Sequence, residues 1–152
     1  MKRIVAAILI LLSSVQAYAQ SRSVTVGNNG NDLMYVSITV SGYRMGDVIV
    51  DTGSNKSLLA YEDYVEMKRR GIISRDNFAG YVNIRTSANT VARRESYCID
   101  GLDFLGFRLD NVVVIFDTSS KISRTRIIGM NVLKNFSKIE YSPKKGELTV
   151  SL

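Results

Sequence analysis

Short alternating runs of apolar and polar residues, cut by turn residues, set the fold class of this chain. From Leu33 to Val40, the set Leu33, Tyr35, Ser37 and Thr39 faces one way and Met34, Val36, Ile38 and Val40 the other. That is the period of a strand with one buried face. Gly42 marks a turn, and Val48, Ile49 and Val50 form a second apolar run that ends abruptly at Asp51-Thr52-Gly53-Ser54. Strand signals return at residues 80–85, 90–99, 111–116, 138–141 and 147–150. Between them lie Gly101, Gly106, Ser119-Ser120 and Ser142-Pro143-Lys144-Lys145-Gly146. One segment changes period. Over residues 58–70, Leu58, Leu59, Tyr61, Val65 and Met67 interleave with Glu62, Asp63, Glu66 and Lys68, which predicts an amphipathic helix stopped at Gly71. Lys68, Arg69 and Arg70 would complement its dipole. The expectation is one compact, mainly β domain over residues 32–152 with one or two short helices. Residues 20–31, ending in Gly27-Asn28-Asn29-Gly30, read as a mobile arm or a loose first strand.

Residues 1–19 stand apart. Lys2 and Arg3 precede an apolar run from Ile4 to Leu12, and Ala17-Tyr18-Ala19 follows, the three parts of a secretory signal peptide. That run is far short of the ~20 residues needed to span a bilayer, so it predicts export and cleavage, not a membrane anchor. The mature protein is expected in the periplasm or the extracellular medium. Its formal net charge falls from +6 to +4, because Lys2 and Arg3 leave with the leader. The remaining basic residues are scattered instead of forming a stripe with aromatics, so nucleic acid is not an expected partner.

Cys98 is the single cysteine, and an exported chain with one thiol closes no internal disulfide. Between Tyr97 and Ile99 it reads as a small hydrophobe, with an intermolecular disulfide as the alternative. The chain has no histidine, so neither a zinc site nor a Ser-His-Asp or Cys-His mechanism can be assembled. No metal or cofactor is expected. An enzyme built from this sequence works with carboxylates, lysines or hydroxyls.

A lone Asp-Thr-Gly is weak, because aspartate and glycine meet in many turns. Here Asp51-Thr52-Gly53-Ser54 follows Val48-Ile49-Val50 and is answered downstream by Arg126-Ile127-Ile128-Gly129-Met130-Asn131-Val132-Leu133, with a hairpin between. In these anchors, from about Leu33 to Leu152, the chain resembles the retropepsin-like (retroviral-type) aspartic proteases, in particular their single-domain exported bacterial relatives.

The resemblance implies a small closed β-barrel subunit that homodimerises about a two-fold axis and so holds half a site. Asp51 of each copy would meet its twin at the base of a cleft and activate water for peptide hydrolysis. Gly53 would turn the backbone beneath the aspartate, and Thr52 would reach the partner's loop. Ile127, Ile128 and Gly129 would thread behind the catalytic loop. Arg85, Thr86, Ser87, Ala88, Asn89 and Thr90 would lie in a flap over a peptide or protein substrate. Glycine is usual at such a tip, and here Asn89 would supply a left-handed conformation, which asparagine tolerates. Ser54 stands where alanine is common, and its hydroxyl would bond the outer oxygen of Asp51 and favour an acidic activity optimum.

Asp117-Thr118-Ser119 also follows an apolar run but lacks the glycine, and reads as the start of a surface loop. Arg93 and Arg94 would favour acidic peptide positions or be simply solvated. The competing reading of the whole chain is a non-catalytic binding or structural module that keeps the fold, with Asp51 held in a turn.

Overall fold

A computed structural model describes residues 20–27, 33–85, 89–119 and 121–152. The first hairpin follows from its turn chemistry. Strand β2 (Tyr35–Val40) pairs antiparallel with β3 (Tyr43–Val50) through Ser41 and Gly42, whose φ values are +45° and +84°. Two successive positive φ values match the right-handed twist of a two-residue hairpin.

The β2–β3 register slips between Val36 and Ile38, because β3 carries one extra residue at Gly46-Asp47, with Asp47 at φ +51°. Such a bulge exchanges the faces of everything after it. Met45 is buried before it, Val48 and Val50 are buried after it, and Asp51 therefore leaves the strand on the face opposite the core.

Strand β4 (Ser57–Leu59) follows the Asp51 turn and runs directly into helix α1 (Tyr61–Arg69). The predicted helix thus begins three residues late, with Leu58 and Leu59 in the strand. Leu59, Ala60 and Met67 are fully buried, so continuous apolarity there serves a short buried strand as well as a helix face. The helix stops where the sequence predicts. Gly71, at φ +70°, donates its N–H to Lys68 O, and Ile72 donates to Met67 O at 2.9 Å, the paired bonds of a left-handed C-terminal cap.

A long ribbon follows, β5 (Phe78–Arg85) with β6 (Val91–Ile99), then a tight hairpin, β7 (Leu102–Phe104) with β8 (Phe107–Leu109), and β9 (Val112–Phe116). Next come β10 (Ile127–Ile128), the single-turn helix α2 (Met130–Leu133), β11 (Lys138–Ser142) and β12 (Glu147–Ser151). The strands assemble as a nine-stranded sheet, β5-β6-β9-β4-β10-β3-β2-β7-β8, and a three-stranded sheet, β1-β12-β11. Here β1 is Ser21–Thr25, so part of the segment read as an arm or loose strand pairs antiparallel along all of β12.

Among the described residues neither sheet closes on itself, which corrects the expectation of a closed barrel. The edges β5 and β8 of the large sheet are not paired to each other. The core is closed instead by packing: Val40, Val48, Leu59, Phe104, Phe116, Ile128, Leu133, Leu148 and Val150 belong to one buried cluster that spans both sheets.

Candidate active site

Asp51 sits where β3 ends. Its N–H donates to Ile128 O at 3.0 Å, so the residue is pinned to β10 before its side chain begins. Gly53 N–H donates to Asp51 Oδ1 at 2.8 Å, and Ser54 N–H to Asp51 O at 3.3 Å, which closes a tight turn under the carboxylate. A Cβ on Gly53 would stand 3.2 Å from Oδ1 and crowd that bond. Asp51 is half-buried, while Thr52 and Gly53 are exposed. Among the described residues Oδ2 of Asp51 accepts no hydrogen bond. The carboxylate is thus oriented by one oxygen and open at the other.

The Ser54 hydroxyl does not do what the sequence leads one to expect. It donates to Lys56 O at 2.7 Å and braces the turn from within. A hydroxyl has one proton to give, so this bond takes it from the outer oxygen of Asp51. The argument from Ser54 to an acidic optimum falls with it.

Behind the turn, β10 lies between β3 and β4: Ile127 and Ile128 run parallel to Ile49 and Val50, and Ile127 pairs antiparallel with Leu58. Gly129 then passes so close to the 54–56 loop that a Cβ there would fall 2.5 Å from Lys56 O and 2.7 Å from Ser54 O. Only glycine fits. Its N–H donates to Ser57 Oγ at 3.1 Å, and Met130 N–H donates to Ser54 O at 2.7 Å. The Ser57 hydroxyl in turn donates to Asn131 Oδ1 at 2.9 Å, and Asn131 Nδ2 donates to Val113 O at 2.7 Å. Ser57 and Asn131 thus carry a continuous polar chain from the turn to β9.

That chain was missed at the level of sequence, although Ser57 is a hydroxyl in an otherwise apolar strand. A second missed cluster fixes the approach to β10. Asp63, fully buried, receives the Arg126 guanidinium at both oxygens, the Tyr43 hydroxyl at 2.9 Å and the Ala60 N–H at 3.0 Å. Burial, followed by the bond to Asp63, pushes the Tyr43 phenol up to about 12. Arg126, whose pKa is raised first of all by its bond to Asp63, also meets Glu62.

The proposed flap maps onto the β5–β6 ribbon. Thr86, Ser87 and Ala88 lie outside the described residues. Arg85 ends β5 and is exposed, and Asn89 stands at φ +60°, the left-handed conformation that asparagine accommodates. Thr90 follows it at the foot of β6. Arg94 is not solvated: it is 7% exposed, and its Nε donates to Asp117 Oδ1 at 2.9 Å. Asp117, which mimics the motif in sequence, also accepts from Ser119 Oγ at 3.1 Å and is consumed by these contacts. Arg93 instead lies over the Tyr81 ring, 3.8 Å from its centroid.

A cavity of about 420 Å³ opens beside the Asp51 turn, bounded by Gly53, Ser54 and Asn55 on one side and by Ile84 and Arg85 of the ribbon on the other. A larger cleft of about 540 Å³, with Phe78, Tyr81 and Tyr97 in its wall, lies on the opposite face of the ribbon, away from Asp51.

No family model matches the chain, and no curated protein matches it. Solved structures do. The chain superposes on a retropepsin-like aspartic protease from Rickettsia conorii with a TM-score of 0.61 at 14% identity, covering 88% of this chain and 92% of that one. The retroviral protease-like domain of Ddi1 from Leishmania major matches with a TM-score of 0.49 at 12% identity, over 78% of this chain and 83% of that one. The fold is retropepsin-like.

Proposed function

We propose that the chain is an aspartic endopeptidase whose complete site forms from two copies of Asp51 in a homodimer. The observation that carries this reading is the carboxylate itself. It is fixed through Oδ1 by the Gly53 N–H, open at its other oxygen, and carried on a turn clamped from behind by Gly129. A residue that merely closes a turn has no need of that clamp. The retropepsin-like fold adds the context in which such a turn is paired with a second one.

One carboxylate cannot serve as both base and acid in the same step. Two held a few ångströms apart cannot both ionise cheaply, so the pair retains one shared proton. The ionised member takes a proton from an attacking water, and the protonated member donates to the carbonyl oxygen as it becomes tetrahedral. The carboxyl that took the water's proton gives it to the peptide nitrogen as the carbon–nitrogen bond breaks. The tetrahedral hydroxyl returns its proton to the other carboxylate as the new carboxyl group forms, so the pair again holds one proton. The β5–β6 ribbon would cover the extended substrate and exclude bulk water.

The basic, apolar and small-residue pattern of Lys2-Arg3, Ile4 to Leu12 and Ala17-Tyr18-Ala19 supports extending the proposal to an exported protease, acting in the periplasm or outside the cell. The test is Asp51→Asn against the unaltered protein, both incubated with a mixed peptide library and read by mass spectrometry of the products. Cleavage by the unaltered protein alone, with a solution mass of twice the chain, is the expected result. Equal cleavage by both, or a strict monomer that still cleaves, ends the reading.

A further inference from the structure

The cavity beside the Asp51 turn combines two surfaces that select different things. Its floor is aliphatic, made by Leu58 of β4, Ile84 of β5, Ile115 of β9 and Ile127 of β10. Its mouth carries Lys56 and Arg85, both exposed, and no acidic side chain lines it among the described residues. Among the described residues neither cation takes part in an ion pair.

From this arrangement we infer that the site selects a peptide carrying a glutamate side chain at one of the positions flanking the cleaved bond. The inference rests on the proteolytic reading given above and adds to it the class of substrate. Glutamate matches both surfaces at once. Its two methylenes lie against the aliphatic floor, and its carboxylate reaches the mouth, where Lys56 and Arg85 meet it. A leucine fills the floor and leaves the cations solvated. A lysine brings a third positive charge to a mouth that already holds two. Aspartate carries the charge on a shorter stem and reaches less of the floor.

The discrimination is moderate because the mouth is open to water. An exposed ion pair changes an equilibrium by at most about fivefold, so two cations acting on one carboxylate give roughly a five- to tenfold preference for glutamate over glutamine. Added salt narrows that ratio, since screening acts on exposed charges.

The experiment compares kcat/KM for peptide sets identical except for Glu, Gln or Lys at each position around a bond that the intact protein cleaves. The same sets are run with Asp51→Asn, with the double variant Lys56→Glu/Arg85→Glu, and at low and high salt. Both cations are exposed, so the double variant is expected to fold, and a ratio between peptides does not depend on the folded fraction. The expected result is a preference for Glu of about five- to tenfold over Gln at one position, smaller at high salt and reversed toward Lys in the double variant. Cleavage that depends on Asp51 but is indifferent to Glu, Gln and Lys at every position overturns this inference and leaves the proteolytic reading standing. A preference that persists unreversed in the double variant overturns it as well. Absence of any Asp51-dependent cleavage overturns both readings together.

Discussion

Arg126 and Asp63 form a two-pronged ion pair, with Nε to Oδ2 at 2.7 Å and Nη2 to Oδ1 at 3.0 Å. It joins the residue just before β10 to the first turn of α1. Asp63 is fully buried and Arg126 nearly so, and the remaining capacity of the carboxylate is taken by Tyr43 and Ala60. The strand that supports the Asp51 turn is therefore anchored through a charge removed from water.

Arg126→Met is expected to cost about 3–5 kcal/mol, because it leaves the Asp63 carboxylate buried without its cation. Urea denaturation measures the loss. The double change Asp63→Leu/Arg126→Met removes both charges and is expected to recover most of it. A single variant as stable as the parent would show that the pair contributes nothing.

Alkaline unfolding should carry the mark of Tyr43. Its phenol titrates near 10 in the unfolded chain and is pushed up to about 12 in the fold. The unfolded state therefore releases the proton first, and stability present below pH 10 is lost as the pH rises toward 12. Tyr97, raised chiefly by burial and then by its bond to Glu95, adds to the same loss. Tyr43→Phe is expected to flatten, without abolishing, the fall in urea midpoint across this window.

Gly129→Ala is expected to be among the most damaging single changes in the chain. The added Cβ meets two backbone oxygens, Lys56 O and Ser54 O, which no rotamer change can move aside. Overpacking of this kind costs about 1–3 kcal/mol or more. Thermal unfolding should report the loss, and a variant that folds is expected to have a displaced Asp51 turn and a much reduced kcat.

Ser57→Ala tests the polar chain separately from sterics. It removes little volume but leaves the buried Gly129 N–H without an acceptor, at a cost of about 1–3 kcal/mol. Asn131 would also lose the donor to its Oδ1. Chemical denaturation of Ser57→Ala beside Ser54→Ala separates the two hydroxyls. Ser54→Ala should leave the pH–rate profile in place, since its proton goes to Lys56 O.

What could be read from the sequence follows from length and period. The ribbon strands β5 and β6 and the paired β11 and β12 are long enough to show their turns and alternation. Strands β4, β7 and β8 have three residues each and β10 has two, too few for any period to register. The Asp51 turn and Gly129 were legible because close backbone approach restricts residue type. The Ser57–Asn131 chain and the Asp63–Arg126 pair were not, since their partners lie 74 and 63 positions apart and only folding brings them together. Ser54 misled for a local reason: its hydroxyl donates to the carbonyl two residues on.

The extra residue at Gly46-Asp47 makes spacing, more than chemistry, the fragile property of the segment leading to Asp51. Substitutions there that tolerate a positive φ leave the pleat in step. Deleting a single codon would instead turn the aspartate inward among Val50's former neighbours and swing apolar side chains out to water. Point changes should accumulate at these two positions far more readily than any change in their number.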